Sequence, residues 1–101
     1  MLLGSYVKQN VDEWTVDVGL ASFIGGRAYG TITPTVVVPA GMTNLSTLVS
    51  GTDIQIMPAG GTDLTGYRFV INVAIVIGGL THKVQAELDV IINNTPDVYT
   101  P

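Results

Sequence analysis

The stretch that decides the fold is YRFVINVAIVIGGLTHKVQAELDVII, residues 67–92. In its first half Tyr67, Phe69, Ile71, Val73, Ile75 and Ile77 fall at every second position, with the mixed set Arg68, Val70, Asn72, Ala74 and Val76 between them. After Gly78-Gly79 the alternation resumes: His82, Val84, Ala86, Leu88, Val90 and Ile92 take turns with Lys83, Gln85, Glu87 and Asp89. A period of two puts every apolar residue on one face of an extended strand, whereas a helix would need apolar residues three and four apart. Val and Ile, stiff at the β-carbon, suit that pleated surface. The two glycines supply the positive φ angles that a two-residue hairpin loop requires. Residues 67–92 therefore read as one long antiparallel hairpin with a single apolar face.

The same style continues toward the N-terminus. Gly60-Gly61-Thr62-Asp63 is a loop leading into Leu64-Thr65-Gly66-Tyr67, and Ile54–Met57 and Leu45–Val49 are short strands around Ser50-Gly51. Pro39-Ala40-Gly41 is a turn signal. Tyr29–Val38 is a Thr- and Val-rich strand interrupted by Pro34, which implies a kink or an edge position because proline cannot donate to a ladder. Gly25-Gly26-Arg27 reads as a hairpin turn. Trp14, Val16 and Val18 alternate with Thr15 and Asp17, so an early strand is expected there, with Trp14 as the central core aromatic. No capped stretch with a 3.6-residue period is present, so no α-helix is expected. About seven strands at intervals of about 8–12 residues predict an all-β, immunoglobulin-like antiparallel sandwich. The chain has no cysteine, so the sandwich carries no disulfide. Residues 1–92 are expected to form the domain and 93–101, where alternation stops, an extended C-terminal arm.

Composition narrows the function classes. The 101-residue chain is 47% hydrophobic and only 12% charged, with a net charge of -4. Soluble domains usually carry about 25% charged residues. A surface so poor in charge suits a domain partly covered by neighbours. Lys8, Arg27, Arg68 and Lys83 are scattered and make no basic stripe, so nucleic acid is not an expected partner. The longest apolar stretch, Phe69–Leu80, is broken by Asn72 and two glycines and is too short for a membrane-spanning helix. The first ten residues lack a basic region followed by a long apolar run, so no signal peptide is expected.

No constellation for catalysis or metal binding emerges. His82 is the only histidine, and without cysteine a zinc site would need carboxylates from elsewhere. Glu87 and Asp89 sit two apart on the polar side of one strand, as on a solvated face. Asp53 and Asp63 each follow a Gly-Thr pair, and turn chemistry accounts for them. There is no Gly-x-Ser-x-Gly elbow and no phosphate-binding loop. The expectation is a chain without catalytic residues, metal or cofactor.

Several segments together carry a resemblance. They are Val11-Asp12-Glu13-Trp14-Thr15-Val16-Asp17-Val18, Ala28-Tyr29-Gly30-Thr31-Ile32-Thr33, Val37-Val38-Pro39-Ala40-Gly41-Met42, and Gly60-Gly61-Thr62 with Gly66-Tyr67, followed by the closing hairpin. Over residues 6–92 the chain resembles the small immunoglobulin-like virion proteins of tailed bacteriophages that serve as adaptors between fibre and tail. Where that family carries a polar hairpin tip, this chain has Ile77-Gly78-Gly79-Leu80-Thr81-His82. The resemblance implies a non-enzymatic structural protein of the virion that links tail fibres, tail or connector components to the particle. It also implies a homo-oligomeric ring or trimer there. The residues expected to make contacts are Ile77 and Leu80 at the tip, Thr31 and Val36 on the Thr-rich strand, and Val98 and Tyr99 in the arm. Two rival expectations stand beside it: a decoration or cement protein of the capsid, and a carbohydrate-binding sandwich presenting Tyr29, Tyr67 and Tyr99.

Overall fold

The computed structural model describes residues 2–94. Among them, strands β1 (Leu2–Lys8) and β2 (Val16–Gly19) are followed by a single helical turn, α1 (Ala21–Ile24). Strands β3 (Tyr29–Val37), β4 (Met42–Ser50), β5 (Asp53–Gly60), β6 (Gly66–Ile77) and β7 (Leu80–Ile92) complete the chain order. They form two sheets, one in the order β1-β7-β6-β3 and one in the order β2-β5-β4. With β2, β5 and β4 read as strands B, E and D, and β3, β6 and β7 as C, F and G, this is the immunoglobulin sandwich. The first strand departs from the constant-type arrangement: β1 joins the other sheet and runs parallel to β7, while every other pairing is antiparallel.

The hairpin of residues 67–92 is the backbone of the larger sheet. β6 and β7 pair from Gly66↔Ile91 to Ile77↔Leu80, and Gly78 and Gly79 both have positive φ (60° and 78°). Phe69, Ile71, Val73 and Ile75 of β6 face inward with Ala86, Leu88, Val90 and Ile92 of β7, and all are buried. They meet Val18, Ile54 and Ile56 of the smaller sheet to form one core. Pro34 lies on β3, an edge strand, the position in a sheet where proline is tolerated. Pro58 lies on the central strand β5, but opposite Asn44 and beyond the four residues of β2, so it too breaks no pairing. Beside it β4 bulges at Leu45-Ser46. Asn44 pins the bulge: its Oδ1 accepts the Met57 N–H at 3.0 Å and its Nδ2 donates to Thr47 Oγ1 at 2.7 Å.

Two expectations about the first third of the chain are corrected, and one strand there was not anticipated. Trp14 is not the core aromatic; it is 71% exposed, and Phe69 fills the centre. Strand pairing begins only at Val16↔Ile56, so the alternation that would turn Trp14 inward is not in force two residues earlier. Gly25-Gly26-Arg27 is not a hairpin turn. β2 and β3 belong to different sheets, so their connection crosses the end of the sandwich, and one turn of helix does this by burying Leu20 and Ile24. Gly25, with φ of 64°, ends that turn, and Arg27 donates from Nε to Ile24 O at 2.8 Å and from Nη2 to Phe23 O at 2.9 Å. Finally, β1 is a strand that period-two reading passes over. On it Val7 is exposed and Lys8 is buried, the reverse of the usual polarity. Lys8, 3% exposed, donates from Nζ to Gln9 O at 2.6 Å and Gly60 O at 3.0 Å, so its amine ties β1 to the end of β5. Burial lowers its pKa, and Asp12 and Glu13 oppose the shift.

At the opposite end from α1, Tyr67 makes the tyrosine corner of this fold class. The Thr62 N–H donates to Tyr67 Oη at 2.9 Å, and hydrogen bonding from the Thr62 side chain, and next from its backbone, holds the phenol below its ordinary pKa. Gly61 is forced by its surroundings. Its φ is 100°, and a Cβ there would sit 2.5 Å from Ile92 Cγ1 and 2.7 Å from Met42 Sδ.

Candidate interaction surfaces

The outer face of the larger sheet is a polar ladder built by register. Thr33 pairs with Ala74, and Ala74 with Lys83; one step along, Thr35 pairs with Asn72, and Asn72 with Gln85. These side chains line an open trough of about 450 Å³, crossed by a 3.1 Å bond from Gln85 Nε2 to Asn72 Oδ1. Farther along, Arg68 stands between the two carboxylates of β7. It grips Asp89 with two donors, Nε at 2.8 Å and Nη2 at 3.2 Å, and reaches Glu87 with Nη1 at 3.2 Å. The bond from Arg68 keeps the Asp89 carboxyl below the ordinary carboxylate range and raises the guanidinium's own pKa. Glu87 and Asp89 are thus the ion-paired polar side of a strand. A carboxylate held ionised by a bidentate arginine is a poor general acid. Among the described residues no three His, Asp or Glu side chains are placed to hold a metal ion.

The sequence-derived contact residues separate into three groups. Leu80, 68% exposed, and Thr31 are open to a partner. Ile77 is corrected: it is 7% exposed and belongs to the core, because the hairpin ladder extends through it and the tip begins only at Gly78. Val36 is half-buried against the core and offers little free surface. Val98 and Tyr99 lie outside the described residues, as does the arm from 95 onward. Of the three tyrosines considered for a glycan, Tyr29 is exposed, Tyr67 is committed to the corner, and Tyr99 lies outside the described residues.

Sheet order identifies two further surfaces, the lateral sides of the sandwich. β3 and β4 are edges of their respective sheets and touch each other, so they form one side; β1 and β2, the other edges, form the opposite side. The β3/β4 side exposes Val37, Val38, Leu45, Leu48 and Val49. The β1/β2 side carries the connecting loop with Val11 and Trp14, both more exposed than any apolar residue of the β3/β4 side. That loop is folded on itself: Gln9 N–H donates to Asp12 Oδ2 at 3.0 Å and Asp12 N–H to Gln9 O at 3.1 Å. Asn10 N–H reaches Asn94 Oδ1 at 2.8 Å, so the loop that presents Trp14 is anchored at its base. Reasoning along single strands misses these surfaces because membership of a side depends on which strands are edges. One signal was available: from Ala28 to Thr52 the chain contains no Asp, Glu, Lys or Arg, and this run spans both strands of the β3/β4 side.

No protein-family model and no curated protein matches the chain.

Proposed function

We propose that this domain is a non-enzymatic structural adaptor that holds neighbouring components of an assembly together. The observation that carries this reading is the pair of apolar surfaces on opposite sides of one rigid sandwich. Val11 and Trp14 mark one side; Leu45, Leu48 and Val49 mark the other. A tryptophan held in water is costly unless something covers it, and Trp is among the residues that most often anchor interfaces. Two such surfaces facing away from each other suit a spacer that binds on both sides. The large hydrogen-bonded hairpin between them supplies the stiffness.

The setting proposed is the virion of a tailed bacteriophage, with the chain between fibre, tail or connector components. The support for that setting is the resemblance over residues 6–92; the surfaces themselves argue only for an assembly role. Quantitative mass spectrometry of purified virions tests it. A fixed, small copy number per particle, matching a ring or a trimer, is the expected result. Hundreds of copies would move the protein to the capsid surface, and absence from the particle would end the virion reading. In parallel, Trp14→Ser is expected to remove the chain from the particle while leaving its fold intact, since Trp14 contributes little to the core.

A further inference from the structure

We propose that the edge of β4 pairs with the same edge of a second copy, antiparallel across a two-fold axis, so that two three-stranded sheets become one of six strands. This deepens the adaptor reading by assigning an occupant to the β3/β4 side, and it rests on that reading for its biological sense. The argument begins with edges. An exposed strand edge offers unpaired N–H and C=O groups to any other chain, and proteins blunt such edges with charge, proline, shortness or bulges. Of the four edges here, β2 is four residues long, β3 contains Pro34, and β1 carries Lys8. β4 has nine residues, no charge and no proline. Its bulge at Leu45-Ser46 leaves Thr47–Ser50 in regular register, and all four of these residues are exposed.

Charge selects the occupant. Each copy carries a net charge of -4, so two copies repel unless they meet where neither bears charge. The run from Ala28 to Thr52 provides that surface, and an isologous contact sets it against itself. A charged partner peptide would gain nothing from it. Size is sufficient. Nine residues at about 3.4 Å span about 30 Å, and two sheets about 10 Å apart with side chains on both outer faces give a width of about 20 Å. The side then covers about 600 Å² per copy, or about 1,200 Å² in total, at the lower end of specific interfaces. Leu45, Leu48 and Val49, with Val37 and Val38 beside them, supply the apolar part.

Sedimentation equilibrium of the purified chain over a concentration series tests the pairing. The wild-type chain is expected to show a monomer–dimer equilibrium. Leu48→Lys brings like charges together at the axis and is expected to weaken association more than about a hundredfold, as is Leu48→Glu. An equimolar mixture of the two variants is expected to regain the dimer, because an isologous axis sets position 48 of one copy close to position 48 of the other. Leu48 is 55% exposed, so both variants should retain the wild-type circular dichroism spectrum; Ser50→Lys and Ser50→Glu, at an exposed position, repeat the test if either does not. A wild-type chain that stays monomeric, a Leu48→Lys chain that still dimerises, or a mixture that fails to reassociate overturns the proposal. A monomeric chain that still enters particles through Trp14 would overturn the pairing and spare the adaptor reading. An intact Leu48-dependent dimer in a chain absent from particles would do the reverse.

Discussion

Replacing Gly61 by alanine tests the packing at the base of the sandwich more sharply than any truncation of the core. Two costs add. The backbone there has φ of 100°, and an L-residue in the left-handed region loses about 1–2 kcal/mol. The new Cβ would also fall 2.5 Å from Ile92 Cγ1, 2.7 Å from Ile92 Cδ1 and 2.7 Å from Met42 Sδ. Met42 can swing aside. Ile92 cannot do so easily, because it is fully buried on β7 and its branched β-carbon restricts its rotamers. Overpacking of this kind costs about 1–3 kcal/mol. The sum, about 2–5 kcal/mol, is a large share of the stability of a small domain. For a domain of this size it lowers Tm by roughly 10–30 °C. Gly66→Ala is the matched control. Gly66 has no positive φ and nothing within 4 Å of its would-be Cβ, so the change should stay within about 0.5 kcal/mol. Urea denaturation followed by far-ultraviolet circular dichroism measures both. A loss below about 1 kcal/mol for Gly61→Ala, or equal losses for the two variants, would refute the account of how β5 turns into β6.

Four further outcomes follow from the same geometry. Tyr67→Phe removes the acceptor of the Thr62 N–H and is expected to cost about 1 kcal/mol, since the exposed Thr62 amide regains water, with faster hydrogen exchange at that amide as the check. Asp89 has a folded pKa below its unfolded one, so its stabilisation is present above the ordinary carboxylate range and is lost as pH falls through the folded value. Arg68→Ala should bring the Asp89 titration, read by NMR, back up and flatten the acid limb of the stability curve. Lys8 also has a lowered folded pKa, so its charged form costs stability at neutral pH, and that cost fades as pH rises through the folded value toward 10.5. The stability difference between wild type and Lys8→Met should therefore change over that alkaline window and stay constant below it. Trp14 fluorescence should be red-shifted and open to iodide quenching in the native state, changing little on unfolding, whereas a core tryptophan would behave in the opposite way.

Local pattern and tertiary arrangement contributed different things to this protein. The 67–92 hairpin, its Gly78-Gly79 turn, the edge position of Pro34 and the all-β class follow from alternation and from the backbone limits of glycine and proline, which act over a few residues. Those rules hold wherever a strand has one wet and one dry face, and β6 and β7 satisfy them along their whole length. They fail where the environment is set by distant chain. Lys8 is buried because the carbonyl of Gly60, remote in sequence, accepts a hydrogen bond from its amine. Trp14 stays in water because pairing with β5 begins two residues too late to turn it inward. Ile77 is withdrawn from the tip because its ladder continues to the turn. The exposed apolar sides were the least readable of all, since a residue gains a lateral position only when β3 and β4 become edges of two different sheets. That is a property of strand order, and strand order is settled by the burial of both apolar faces against each other, not by any one segment.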